Sequence, residues 1–208
     1  CSDIRVLLLA RNTLLLCLAV CAVSLPLGTL LALLLMRTDI PLKRATLLLV
    51  VALLFMPLYL YAAAWDAGFG KLGWATLLNG ALDAPLLNRW TAAIWIHGTW
   101  SVAWVTLIVA SALRLTEPEL EEQAWLDGTA WQVFLSVTLR RALPGVMMAA
   151  IWVTLTTASE MVVTDLYQIR TLAEELYTGF AMVDDPGSTF GLTAALLFTG
   201  ALASLAVI

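Results

Sequence analysis

Long apolar stretches alternate with short polar connections along the chain. Five stretches reach the length of a membrane-spanning helix, which needs about 20 apolar residues. Charged residues bound each of them except the last, which runs to the end of the sequence. None shows the alternation of membrane β-strands, so we expect an all-α membrane protein, a helical bundle with spans at residues 12–36, 45–65, 90–113, 142–164 and 186–208.

The composition points to lipid rather than water as the solvent. Hydrophobic residues make up 62% of the chain and charged residues 12%, against about 45–50% and 25% in soluble domains. The net charge is only -4 and no basic tract is present, so a nucleic-acid partner has no electrostatic basis. The chain begins at Cys1 and ends inside an apolar stretch, so we expect a piece truncated at both ends of a longer protein.

Positive charges set the predicted orientation. Arg37, Lys43 and Arg44 crowd the first connection, and short positive loops stay on the cytoplasmic side of a membrane. Alternation then places the other connections: 114–141 is cytoplasmic, while 1–11, 66–89 and 165–185 are on the outer side.

The outer connection 66–89 carries a pattern of its own. Trp65, Trp74 and Trp90 lie near the ends of the second and third spans, where amphipathic rings favour the headgroup region. Glycines and leucines fill the segment between them. We therefore expect a short interfacial or re-entrant helix in this connection.

Neither the cysteines nor the histidine predicts a metal site. Cys17 and Cys21 lie at helical spacing inside the first span, where small buried hydrophobes are favoured over a metal pair, because two thiols are too few ligands. His97 is far from both in the sequence, and we expect no carboxylate near it. We expect it to be a buried packing residue.

The second cytoplasmic connection is long and patterned. Thr116 and Glu119 form a capping box that begins a helix, and Gly128 is placed to end it. Leu120, Ala124 and Gly128 line one face of this helix at intervals of four. A second, amphipathic helix is predicted beyond the turn, leading into the fourth span: Trp131, Phe134, Leu135, Leu139 and Ala142 carry its apolar face. These residues alone leave two alternatives open, namely a hairpin that packs on its own helices or the bilayer, or one that docks to a soluble partner.

The hairpin resembles a known signature. Glu122, Ala124 and Gly128, followed by residues 137–139 and by Leu143-Pro144-Gly145, are similar to the coupling-loop motif of permease subunits of binding-protein-dependent ABC importers. Gln123 departs from the usual alanine, and the spacing after Gly128 is one residue short. Arg140 also stands where a proline is expected.

The resemblance implies a single transmembrane permease domain over residues 1–208, with the cytoplasmic coupling loop at 114–144. It implies a transport subunit that is not itself an enzyme, needs no cofactor, and works by alternating access in the bacterial inner membrane. ATP would be bound by cytoplasmic ABC ATPase subunits, and a periplasmic solute-binding protein and a second permease domain or subunit would complete the importer. The residues implied to couple to the ATPase are Leu120, Glu122, Ala124, Asp127 and Gly128.

Glu160 stands near the outer end of the fourth predicted span, beside Thr157 and Ser159. An ionisable group at that depth marks either a substrate pathway or an interhelical hydrogen bond, and both interpretations stay open. The segment 160–177 resembles the same region of ferric-iron permeases and, less closely, thiamine permeases. Asp165, Glu174 and neighbouring acids make this outer face negative, which suits either a solvated loop or contact with a substrate-delivering protein.

Other functional classes explain the sequence less well. No phosphate-binding loop, serine-nucleophile motif or catalytic cluster is present, so no catalytic residue is predicted. A secondary transporter driven by an ion gradient would need ionisable groups on broken helices. A membrane scaffold without transport activity would also tolerate a docking loop, so both remain alternatives.

Overall fold

The computed structural model describes residues 2–39, 41–78, 87–115, 129–133, 137–182 and 186–207. Every regular element in these ranges is a helix, which confirms the all-α prediction. In chain order the helices are α1 (Ser2–Arg37), α2 (Lys43–Phe55), α3 (Leu58–Phe69), α4 (Trp74–Leu78), α5 (Arg89–Arg114), α6 (Ala130–Val133), α7 (Leu139–Ser159), α8 (Val162–Leu166), α9 (Leu172–Met182) and α10 (Pro186–Val207).

Several of these helices can cross a membrane. Within the described ranges, three are long and apolar enough by themselves: α1, α5 and α7. A fourth span exists if α2 and the helices after it, which bend by 105°, are counted together. The described apolar stretch of α10, Thr193–Leu202, is shorter than a span, so the predicted total of five is not confirmed.

The second predicted span is broken rather than continuous. α2 ends at Phe55, Met56 is extended with φ -80° and ψ 117°, and Pro57 precedes α3. Proline lacks an N–H and disfavours helix at the residue before it, which accounts for the break. The Trp100 indole N–H donates to the Met56 carbonyl at 3.1 Å and satisfies an acceptor that the break exposes.

Helix α1 is longer than the predicted span. It begins at Ser2 and has 36 residues, about 54 Å at 1.5 Å per residue, against a hydrocarbon core of about 30 Å. The stretch before residue 12, which had no predicted structure, is thus the first turns of α1. Pro26 lies inside the helix.

The core forms where α1, α5 and α7 pack together. Close approach depends on small residues, as is usual between membrane helices. A Cβ placed on Gly28 would lie 2.5 Å from the Val105 Cβ, and one on Gly145 would lie 2.6 Å from the Ala112 Cβ. Gly98 also approaches Val23, and His97 lies beside Glu160. With two contacts for each pair, α1 and α5 run parallel and α7 runs antiparallel to both, as the alternation of the predicted spans requires.

The two described cysteines are buried in this core as predicted. Cys17 and Cys21 are free thiols, 1% and 2% exposed. Both sulfurs face Thr154 of α7, with Cys17 Sγ 3.7 Å from its carbonyl and Cys21 Sγ 3.6 Å from its hydroxyl. They act as small groups at a helix interface.

The outer connection contains the short helix that was predicted there. α4 follows a tight turn in which the Thr76 hydroxyl donates to the Gly70 carbonyl at 2.8 Å. Trp74 and Leu78 are 69% and 83% exposed, as expected for a helix lying in the membrane interface. Its position relative to the bilayer stays a prediction.

Candidate functional site

The predicted coupling residues lie outside the described residues. This applies to Leu120, Glu122, Ala124, Asp127 and Gly128. Their role and the domain limits therefore stay predictions.

The first described residues after the coupling residues form a helix cap. Thr129 precedes α6, and the Gln132 side-chain oxygen accepts from its backbone N–H at 3.0 Å and from its hydroxyl at 3.1 Å. This is the reciprocal half of a capping box. The predicted second helix thus has a defined start just after Gly128, and its far end, including Pro144, is continuous with α7.

Glu160 lies at the end of a helix and not inside one. The fourth span was predicted to reach residue 164, but α7 ends at Ser159, and Glu160 is extended with φ -83° and ψ 137°. Its Oε1 accepts from the N–H of Val162 at 2.6 Å, and its Oε2 accepts from the N–H of Val163 at 3.1 Å. The carboxylate therefore caps the start of α8, where free N–H groups favour negative charge.

The Glu160 carboxylate also contacts His97 of α5. Glu160 Oε2 lies 3.3 Å from His97 Nε2, and the two side chains are 16% and 2% exposed. The contact is close but is not a hydrogen bond, and Nε2 has no hydrogen-bond partner among the described residues. His97 is buried as predicted, but the expectation that it has no carboxylate nearby was wrong.

The three predicted pathway residues do not share one face. Thr157 is 2% exposed and its hydroxyl has no hydrogen-bond partner in the described part of the chain. Ser159 is exposed, and its hydroxyl donates to the Leu155 carbonyl at 2.8 Å. Thr157 and Ser159 are two positions apart on the helix, which corresponds to a rotation of roughly 200°. Of these two side chains, only Thr157 therefore points to the interior.

The residues after Glu160 contact several helices, at the ends that are predicted to lie on the outer side. We call residues 160–178 the outer segment. Asn12 of α1 donates to the Arg170 carbonyl at 3.1 Å, and the Thr13 hydroxyl accepts from the Leu172 N–H at 3.1 Å. Arg5 pairs with Glu175 at 2.6 Å. The outer segment is thus bonded along the first three turns of α1.

The outer segment also contacts α3 and α5. Arg89 donates to the Gln168 carbonyl at 2.9 Å, and the Tyr167 hydroxyl donates to Asp66 at 3.2 Å. Burial raises the pKa of Tyr167, and the charge of Asp66 and the hydrogen bond to it act in the same direction. Tyr167 therefore stays a proton donor at physiological pH.

The predicted acidic outer face is only partly free in the structure. Glu175 is paired with Arg5, and Asp184 and Asp185 lie outside the described residues. Asp165 and Glu174 line an open recess of about 280 Å³ together with Tyr177. In the described ranges, no group of three or more His, Cys, Asp or Glu residues could hold a metal ion.

Comparison with known proteins supports one family. No protein-family model matches the chain. A Probable ABC transporter permease protein of Pyrococcus horikoshii is 34% identical over 70 residues, which is 33% of this chain and 25% of the relative. The chain thus matches about a quarter of the length of that curated relative.

Solved structures share the fold over almost the whole chain. A crystal structure of an amino acid ABC transporter with histidines matches 99% of this chain and 94% of its own, with a TM-score of 0.67 and 15% identity. A bacterial alginate ABC transporter, in complex with an alginate pentasaccharide-bound periplasmic protein, matches 97% of this chain and 75% of its own, with a TM-score of 0.68 and 19% identity. The fold is that of these ABC transporter chains. Together with the curated relative and the apolar helices, it supports the ABC transporter permease family and a multi-pass membrane protein.

Proposed function

We propose that this chain is the translocation subunit of a bacterial ATP-driven importer that works by alternating access in the inner membrane. The observation that supports this best is the structural likeness to an amino acid ABC transporter over 99% of the chain. The membrane-length helices and the curated permease relative agree with it.

The coupling loop would receive the mechanical input. Residues 116–128 would dock in a cleft of a separate ATPase subunit, with Glu122 stabilising the hairpin, Ala124 allowing close approach and Gly128 making the turn. Leu120 and Asp127 would lie at the same contact. α5 leads into this loop and α7 leads out of it, so a pull on the loop would move both helices together because they pack closely at Gly145.

The partners follow from this assignment. Two cytoplasmic ATPase subunits would hold the ATP, so this chain would need no cofactor of its own. A second permease domain or subunit would complete the pathway, and a periplasmic solute-binding protein would deliver the cargo. The complex of the alginate transporter with a periplasmic protein is a precedent for the last partner.

For the cargo we propose ferric iron or a similar small solute. This depends on the resemblance of residues 160–177 to ferric-iron permeases, and Glu160 and Thr157 would lie near the outer mouth of the pathway. Uptake of labelled ferric iron into vesicles, competed by other metal ions, amino acids and thiamine, tests this choice. Uptake of another solute alone would refute it and leave the importer assignment intact.

Crosslinking to the ATPase tests the central claim. A single cysteine would replace Thr129 in the full-length parent chain, with the native cysteines removed. It should crosslink to a co-expressed ABC ATPase, and the yield should change with ATP. Leu42→Cys is a matched control, because Leu42 is 78% exposed in the first cytoplasmic connection. Absence of a crosslink from Thr129→Cys in correctly inserted protein would contradict the proposal.

Substitution of the turn glycine is the first specific prediction. Gly128→Trp should abolish uptake and its coupling to ATP hydrolysis, since the bulky ring would prevent the turn and the close approach to the ATPase. Membrane insertion should be unchanged. Gly68→Trp is the control, because nothing lies within 4 Å of a Cβ placed there. Normal transport by Gly128→Trp would refute the coupling role.

An ion-driven transporter remains the second candidate because of two observations. α2 and the helices after it are bent by 105°, and His97 and Glu160 form an ionisable pair at the outer end of two spans. Broken helices and buried ionisable groups are features of such transporters. Uptake that survives ATP depletion but stops when the ion gradient is collapsed would favour this candidate.

A further inference from the structure

His97 is a buried polar residue to which the proposed function gives no role. It lies on α5 among the fully buried side chains. The next residue, Gly98, approaches α1 so closely that an added Cβ would lie 3.0 Å from the Val23 Cβ. The imidazole is therefore held in the protein interior, where an unpartnered polar group is costly.

Among the described residues, the Glu160 carboxylate is in direct contact with this imidazole. His97 Nε2 lies 3.3 Å from Glu160 Oε2. The other contacts of the carboxylate are the backbone N–H groups of Val162 and Val163. Glu160 is thus hydrogen-bonded to the start of α8 on one side and lies against the His97 imidazole of α5 on the other.

A glutamate fixed in this way has lost its rotational freedom. Without these contacts the side chain would keep its rotamer entropy, and its carboxylate would sample several positions at the end of α7. Fixed on both sides, it keeps one position relative to α5. Thr157, three residues earlier in α7, is also buried, so Glu160 follows a buried polar position at the end of that helix.

We propose that His97 is a positioning residue, which holds the Glu160 carboxylate at the outer mouth of the transport pathway. The inference rests on the proposed function, since it is transport that requires the carboxylate in this place. It predicts that His97 and Glu160 act as one unit, so that losing either has the same consequence.

Uptake by the complete transporter in vesicles tests this unit, with rates normalised to inserted protein. His97→Leu and Glu160→Gln should each lower uptake about tenfold, because a displaced or neutral carboxylate would raise the barrier of the step that depends on it. The double variant should be no worse than either single one. His97→Gln, which restores an N–H donor of similar reach, should keep most of the activity.

Thr106→Val is the matched structural control. Thr106 lies on the same helix, is 1% exposed, and its hydroxyl lies 3.3 Å from the Gly28 carbonyl of α1. This variant should lower stability without lowering uptake per inserted molecule. Wild-type uptake by His97→Leu, or single losses that multiply in the double variant, would overturn the proposal.

A labelling experiment tests whether His97 positions Glu160, and it does not depend on a transport assay. Val163 is 0% exposed at the start of α8, so Val163→Cys should react slowly with a membrane-impermeant maleimide. Adding His97→Leu should speed the reaction several-fold, and adding His97→Gln should not. Unchanged labelling would refute the positioning role. If the wild type shows no ATP-dependent uptake but His97→Leu still speeds the labelling, only the importer function is refuted.

Discussion

The outer and inner halves of the α5–α7 pair are held together in different ways. In the inner half, Gly145 lets α7 approach so closely that a Cβ there would be 2.6 Å from the Ala112 Cβ and 3.3 Å from the Val109 Cα. At the outer end the contact is polar, between His97 and Glu160. The inner contact requires that position 145 has no side chain, whereas the outer contact is between two polar side chains.

This difference has a consequence for movement. Close van der Waals packing between helices admits little relative motion, because interiors are packed like organic crystals. The outer end is joined instead by the His97–Glu160 contact, and even complete hydrogen bonds between membrane helices contribute only about 0.6 kcal/mol on average. We therefore expect α5 and α7 to move together at the cytoplasmic side and to separate more readily at the outer side.

The largest expected effect comes from filling the inner contact. Gly145→Leu should destabilise the protein at or beyond the upper end of the roughly 1–3 kcal/mol typical of overpacked cores. Thermal unfolding of the purified protein in detergent measures it. Gly68→Leu is the control, because its side chain would meet open space.

A compensating pair sharpens the same comparison. Gly145→Ala should be destabilising by itself, and Ala112→Gly in the same chain should recover much of the loss, because it removes the atom 2.6 Å away. Equal destabilisation with and without Ala112→Gly would show that the contact is not what limits the approach of the helices.

An intermediate effect is expected at the attachment of the outer segment to α1. Thr13 is 1% exposed, and its hydroxyl accepts from the Leu172 N–H at 3.1 Å. Thr13→Val should cost about 1–3 kcal/mol, because it leaves a buried N–H without an acceptor. Thr156→Val is the control, since that hydroxyl bonds to carbonyls of its own helix. A loss no greater than that of the control, again by thermal unfolding, would contradict this role of Thr13.

Much of the bundle could be predicted from the sequence where charges bound an apolar stretch. The third span was predicted at 90–113 and is observed as Arg89–Arg114, because a charge at each end is costly inside lipid. Prolines were less informative: Pro26 and Pro144 lie inside helices, whereas Pro57 follows a break. Which of these occurs depends on neighbouring groups, such as the Trp100 indole that satisfies Met56.

The His97–Glu160 contact could not be predicted from the sequence. The two residues are far apart in the chain, and the predicted fourth span extended past Glu160 to residue 164. The signal available was indirect, since both residues lie near the outer ends of antiparallel predicted spans. Local sequence also gave no clear sign that Val162 would begin a new helix, because the apolar residues Met161, Val162 and Val163 follow Glu160 and are equally compatible with a longer span.

The smallest effect is expected at the Arg5–Glu175 ion pair. The pair is 2.6 Å apart, but the Arg5 side chain is 60% exposed, and exposed pairs contribute less than about 1 kcal/mol. Arg5→Gln should therefore lower the unfolding midpoint slightly at low salt. The difference from wild type should vanish at high salt, where exposed charges are screened. Arg11→Gln removes the same charge from the same helix and serves as the control. A salt-independent loss larger than that of Thr13→Val would reverse the order and show that Arg5 packs its aliphatic stem against the outer segment.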